Sequence, residues 1–204
     1  MVPLFAIGAA TIGAVAAYFG WRTYFAPPSG DTIQYPLYSK IAYPLTSAQM
    51  DAAEQIDAAL IDERVPPEVG AAILANFYAE SKLDANAVGD AGASVGVAQI
   101  HVNGGVAPYL SNLADRADPY KSTVAMVKFM RANKGTRTIA GASPGGDPSK
   151  AGPDPLTLYE SGNRNLKNLT TSFRFHVERP RYSAEGVARR EDIVAQMFPV
   201  RAIY

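Results

Sequence analysis

The chain has no cysteine among its 204 residues, which excludes a disulfide framework and any thiolate-built metal site. Histidine is nearly as scarce: His101 and His176 lie far apart, without the HExxH-type spacing of a zinc hydrolase. No metal and no cofactor is therefore expected. Neither sign of charge is in excess, since 19 Lys and Arg balance 19 Asp and Glu. A dedicated nucleic-acid binder needs a basic excess to neutralise phosphates, so no nucleic-acid partner is expected. The Gly/Pro-rich stretch 135–155 lacks the GK[ST] ending of a phosphate-binding loop, which argues against nucleotide binding.

Charge is missing altogether from residues 1–21, where Thr11 is the only clearly polar side chain. At ~1.5 Å per residue, about twenty such residues span a ~30 Å hydrocarbon core. Tyr18, Phe19, Trp21, Tyr24 and Phe25 gather at the end of this run, where an interfacial aromatic belt would sit. A cleaved secretory leader is the competing reading, with Ala14-Val15-Ala16 as its cleavage site. Met1-Val2-Pro3 carries no basic n-region, however, and aromatics rather than small residues follow, which favours an uncleaved membrane anchor over residues 1–25. Ala9, Gly13 and Ala17 make a small-xxx-small pattern, read most simply as the frequency of Ala and Gly in an apolar run. Arg22 and Lys40 are too few to orient the span.

Residues 26–45 hold four prolines and no helical periodicity, and read as a tether. The domain is expected to occupy residues 46–204. Thr46 and Gln49 have the spacing of a capping box, ahead of an apolar stripe at Met50, Ala53, Ile56 and Leu60. A second helix opens at Pro66-Pro67 and runs through GAAILANFYAES. The Gly-, Asp- and Asn-rich stretch 84–105 contains the alternating run SVGVAQI, which predicts a turn and a small β element. Asp118-Pro119 starts a third helix with Val124, Met126, Val127, Phe129 and Met130 facing the core. Short helices are predicted around 155–161, 168–178 and 184–198, and the Arg/Glu alternation over 178–192 is read as a solvated helix surface. The fold class expected is mainly α with a minor β element.

Glu80 closes the second helix. Ile73, Asn76 and Phe77 precede it at helical spacing, so its carboxyl emerges from a largely apolar stripe. Partial burial there would raise its pKa and keep a proton available near neutrality. The helix dipole pushes the same way, but by only ~0.3–1 kcal/mol, so burial is the expected lever. Taken alone, Glu80 is more simply a solvated residue at a helix end, and its neighbours change that reading. Gly89, Gly92 and Gly96 permit tight turns and close backbone approach, as in a polysaccharide groove or an ordinary surface loop. Tyr78, Tyr109, Tyr120 and Tyr159 offer stacking faces for sugars, although core or rim positions suit them better.

The run AAILANFYAESKLDANAVGDAGASVGVAQIH, residues 71–101, resembles the core signature of goose-type lysozymes and lytic transglycosylases. It is closest to the version in phage tail lysozymes: a helix ending in Glu-Ser, an Asn-Ala-Val segment, then Gly-Ala-Ser-x-Gly-x-x-Gln. TLYESGN at 157–163 and FHVERPRY at 175–182 extend the resemblance more loosely, to roughly residues 46–198. The resemblance implies a lysozyme-like α+β fold and cleavage of the β-1,4 bond between N-acetylmuramic acid and N-acetylglucosamine. It implies Glu80 as the general acid, with Ser81, Ser94, Gln99 and Tyr159 lining the substrate cleft. Glu160 stands where the transglycosylase segment has Asn, and is the candidate second carboxylate.

The expected function is peptidoglycan cleavage by a lytic transglycosylase or muramidase. The partners expected are a glycan strand, a membrane through residues 1–25, and other proteins of a virion or envelope complex. The expected location is a virion membrane or the periplasmic side of a host cell envelope, during phage entry. A catalytically inactive lysozyme-like structural protein of a virion or secretion apparatus is the alternative, as is a module that binds the wall without cutting it.

Overall fold

Helices form where caps and apolar periodicity coincide. The computed structural model describes residues 33–135, 152–178 and 184–199. Helix α1 spans Ser47–Asp62, and its capping box is complete: the Thr46 hydroxyl accepts from Gln49 N at 3.3 Å, and the Gln49 side chain accepts from Thr46 N at 2.8 Å. Helix α2 spans Pro67–Ser81, with proline at its first position, where a missing N–H costs nothing. Helix α3, Pro119–Ala132, is capped by the Asp118 carboxylate, which accepts from Lys121 N at 3.0 Å. Helices α4, Pro155–Glu160, and α5, Leu166–Phe173, follow; α5 runs into a π-helical turn, Arg174–Glu178, and α6 spans Ala184–Met197.

Helix α2 is the axis of the domain. From Glu68 to Ser81 every residue is buried except Glu80. A helix that is apolar on all sides has to be enclosed, and α5 and α6 pack directly on this one while α1 packs mainly on α3. Phe77 meets Phe173 of α5 edge to face, ring centroids 6.2 Å apart. Buried Asn76 donates through Nδ2 to the carbonyls of Ala72 and Thr170, at 2.8 and 3.1 Å, which ties α2 to α5 by a polar link inside the core.

The small β element is a three-stranded antiparallel sheet in the order β1-β2-β3, comprising Val88–Gly89, Ser94–Val95 and Ile100–His101. Val95 pairs with Val88 on one side and Ile100 on the other. The run SVGVAQI thus supplies β2, the turn and the start of β3, while β1 comes from the segment before it. The architecture is mainly helical with a minor sheet, consistent with a lysozyme-like α+β fold.

The stretch read from its prolines as a tether is, from Ile33 onward, packed into the domain, and the compact unit begins at that residue. Leu37 is fully buried, and its N–H donates to Asp57 Oδ2 at 2.8 Å. Tyr35 donates its hydroxyl to the Val65 carbonyl at 3.0 Å, and Ala42 N donates to Met197 O at 2.9 Å, at the end of α6. Gly70 allows this strap to lie close: a Cβ there would stand 2.7 Å from Tyr35 Oη and 2.9 Å from Leu37 Cδ1. Prolines without helical period exclude a long helix but not packing, and the strap packs through a short 3-10 turn, Tyr38–Lys40. The expected anchor over residues 1–25, the tether to residue 32 and most of the 135–155 loop lie outside the described residues. Among the described residues no helix is long and apolar enough to cross a membrane.

Candidate active site

The C-terminal end of α2 is built to present one side chain. Lys82, which ends the helix, is left-handed at φ 60°, and so is Leu83. A left-handed cap normally calls for glycine, and a non-glycine residue there costs roughly 1–2 kcal/mol. Of the six non-glycine residues with positive φ among those described, five lie between Lys82 and Gln99. Strain of this kind persists only where the surroundings enforce it, and it concentrates at functional sites.

Several bonds enforce it here. Ser81, buried, donates its hydroxyl toward the carbonyls of Val97 at 2.8 Å and Phe77 at 3.0 Å, which joins the helix end to the turn between β2 and β3. Gln49 of α1 donates to the Lys82 carbonyl at 2.8 Å. The Lys82 ammonium lies 4.5 Å from the centroid of the Tyr78 ring, and Tyr43 of the strap meets the same ring edge-on at 5.1 Å. On the far side of the sheet, Arg116 donates to the carbonyls of Ala93 at 2.8 Å and Ile100 at 3.3 Å. Gly96, at φ +82°, lets the turn approach Arg116 so closely that a Cβ would sit 2.0 Å from its carbonyl oxygen.

Glu80 itself departs from the expectation that burial in an apolar stripe would govern its chemistry. Its side chain is 31% exposed, and its Oε1 forms an ion pair with Nη2 of Arg190 from α6. Ile73, Asn76 and Phe77 are buried as expected, but they turn inward while Glu80 turns out. The reading of 178–192 as a solvated surface is corrected at one residue: Ala184, Glu185, Ala188, Arg189 and Asp192 are exposed, but Arg190 is only 8% exposed. Burial pushes its guanidinium down to about 10, which leaves it charged at neutral pH. Arg190 shares a face of α6 with buried Ile193, Val194 and Met197, so a cation inside an apolar i, i+3, i+4, i+7 stripe was the available sequence signal.

The other expected site residues divide into two groups. Ser94 and Gln99 lie with Ser81 on the sheet side of Glu80, but their side chains brace the loop itself. Buried Ser94 donates to Asp90 Oδ2 at 2.5 Å, and Gln99 Nε2 donates to the carbonyls of Gly96 at 2.9 Å and Ala87 at 3.1 Å. Tyr159 and Glu160 stand together at the end of α4. The Tyr159 phenol is pushed up by burial and then by the charge of Glu68, while Arg164, stacked 3.5 Å over its ring, opposes this. Glu160, 58% exposed, is bonded to Lys134 Nζ at 2.5 Å. Of the tyrosines, Tyr78 is core, Tyr109 packs edge-on against Phe129, and Tyr120 donates to Asp62 at 2.7 Å. Among the described residues no group of His, Asp and Glu is arranged to hold a metal ion.

The helical domain thus exposes one glutamate at the end of its central helix, beside a small antiparallel sheet. The chain belongs to the phage tail lysozyme family, whose sequence model matches residues 51–199. No curated protein and no solved structure matches it. Family membership carries a lysozyme-type, peptidoglycan-degrading role.

Proposed function

We propose that the domain cleaves the β-1,4 bond between N-acetylmuramic acid and N-acetylglucosamine, with Glu80 as the general acid. The observation that carries this reading is the exposure of Glu80 alone from an otherwise buried helix segment, next to the strained run 82–99. Glu80 protonates the glycosidic oxygen, the glucosamine unit leaves, and the 6-hydroxyl of the muramic acid closes on its own C1. Glu80 takes up the hydroxyl proton, and the product is a 1,6-anhydro ring. Hydrolysis through two carboxylates would need a partner about 5–9.5 Å away. Glu160 is engaged in an ion pair with Lys134, which favours Glu80 acting alone.

Mass spectrometry of the muropeptides released by the chain tests the proposal. Anhydro products, one water lighter than reducing-end products, support transglycosylation. Reducing-end products that vanish in Glu160→Gln would make the enzyme a hydrolase instead. The uncharged run 1–21 supports a further part of the reading, that the enzyme is held at a membrane, in a virion or at the host envelope, while it opens the wall. Partition of the full chain into detergent, against solubility without it, decides that part.

A further inference from the structure

The Glu80–Arg190 pair carries an inference that rests on the reading of Glu80 as the acid. We infer that Arg190 is the positioning residue of the site: its guanidinium fixes the orientation and charge of the Glu80 carboxylate and so sets the pH range of turnover. A cation is costly to bury, and α6 holds this one on its apolar face with its Nη2 on the acid's oxygen. An arginine keeps its charge across the working range, so its influence on Glu80 is constant while Glu80 itself titrates.

The other described charged and titratable groups around the helix end are directed elsewhere. Arg189, the neighbour on α6, points to the Ala79 carbonyl at 3.4 Å rather than to the carboxylate. Lys82, at the end of α2, is turned over Tyr78, and Tyr43 of the strap meets the same ring edge-on. Asp84, in the loop that follows, accepts from Asn86 N at 2.8 Å. Glu191 of α6 accepts from Thr171 of α5 at 3.2 Å. Arg190 is therefore the described cation in contact with the acid. An opposite charge at contact favours the ionised form of a carboxyl, and a general acid works only in its protonated form. The pair thus holds the alkaline limb of the activity profile down, and it leaves Glu80 ready to serve as the base that completes ring closure.

The test is the pH profile of wall digestion by the full chain and its Arg190→Gln, Arg190→Lys and Arg189→Gln variants. Arg190→Gln should move the alkaline limb upward by roughly one pH unit. Arg190→Lys should return it toward the wild-type position, and Arg189→Gln should leave it there. A folded Arg190→Gln protein with an unmoved limb overturns the inference, whatever happens to its rate. Should that variant fail to fold, carbon-13 NMR of the unmodified chain gives an independent reading. The Glu80 carboxyl should titrate below the ordinary glutamate value of about 4.3, and titration at the same or higher pH overturns the inference. Glu80→Gln separates the two claims. An active Glu80→Gln protein ends the assignment of the acid, whereas an inactive one alongside an unmoved Arg190→Gln limb ends only the role given to Arg190.

Discussion

The Ser81 hydroxyl bonds the Val97 carbonyl at 2.8 Å, and this one contact fixes where the sheet stands relative to the acid beside it. It reaches from the last residue of α2 to the turn between β2 and β3. Ser81→Ala leaves the buried carbonyl unpaired, at a cost of about 1–3 kcal/mol. Thermal unfolding should show a lowered midpoint. Activity measured well below that midpoint should fall further than in variants of equal stability made in α3, because the loop is no longer held against Glu80.

Gly96→Ala should be more damaging than its size implies. The new methyl meets the Arg116 carbonyl oxygen at 2.0 Å while φ stays at +82°, so the turn has to move. The expected outcome is a loss of turnover together with a lower unfolding midpoint. An unchanged midpoint and rate would show that the turn is free to shift without disturbing the site.

Asp57 makes stability depend on pH. Burial, the main cause, raises its carboxyl to about 7, against lowering by the backbone hydrogen bonds of Leu37 and Tyr38. The folded state therefore holds this proton more tightly than the unfolded chain, whose aspartates titrate near ~3.9. The stabilisation is fully present below about pH 4 and is lost as pH rises through about 7. Asp57→Asn, which keeps an acceptor for Leu37 N, should flatten this dependence and raise stability at pH 8. Denaturant melts from pH 4 to pH 8 check it.

The strap is part of the fold. A chain trimmed to begin at Thr46 removes Leu37 from the core, Leu37 N from Asp57 and Ala42 N from the end of α6. Such a chain should unfold at a clearly lower temperature than one that begins at Ile33, by several degrees in a calorimetric comparison. Equal midpoints would mean that these contacts contribute nothing.

Local signals made the helices legible. The Thr46–Gln49 box, Pro67 and Asp118 each act within one turn, and the elements they open begin where the sequence predicts. Glu80 stands out as a candidate for the same reason, through the residues that follow it. Arg190 was not, because its partner lies in another part of the chain and its neighbours read as an exposed Arg/Glu alternation. Only the apolar companions Ile193, Val194 and Met197 betray the buried face. Asp57 hid in the same way within the α1 stripe, between Ile56 and Leu60, where periodicity marks the apolar residues and passes over a carboxylate between them. The strap was misread as free because sequence records its lack of helix but not the groove over Gly70 that receives it.

The most direct measurement is release of soluble muropeptides from purified cell walls by the full chain and by Glu80→Gln, with both proteins shown to be folded by circular dichroism. The substitution removes the counter-charge of Arg190, so a midpoint lowered by a few degrees is expected and does not bear on the claim. Release should fall by at least ~10²-fold, the usual contribution of a general acid. Release near the wild-type rate by the folded variant would contradict the account.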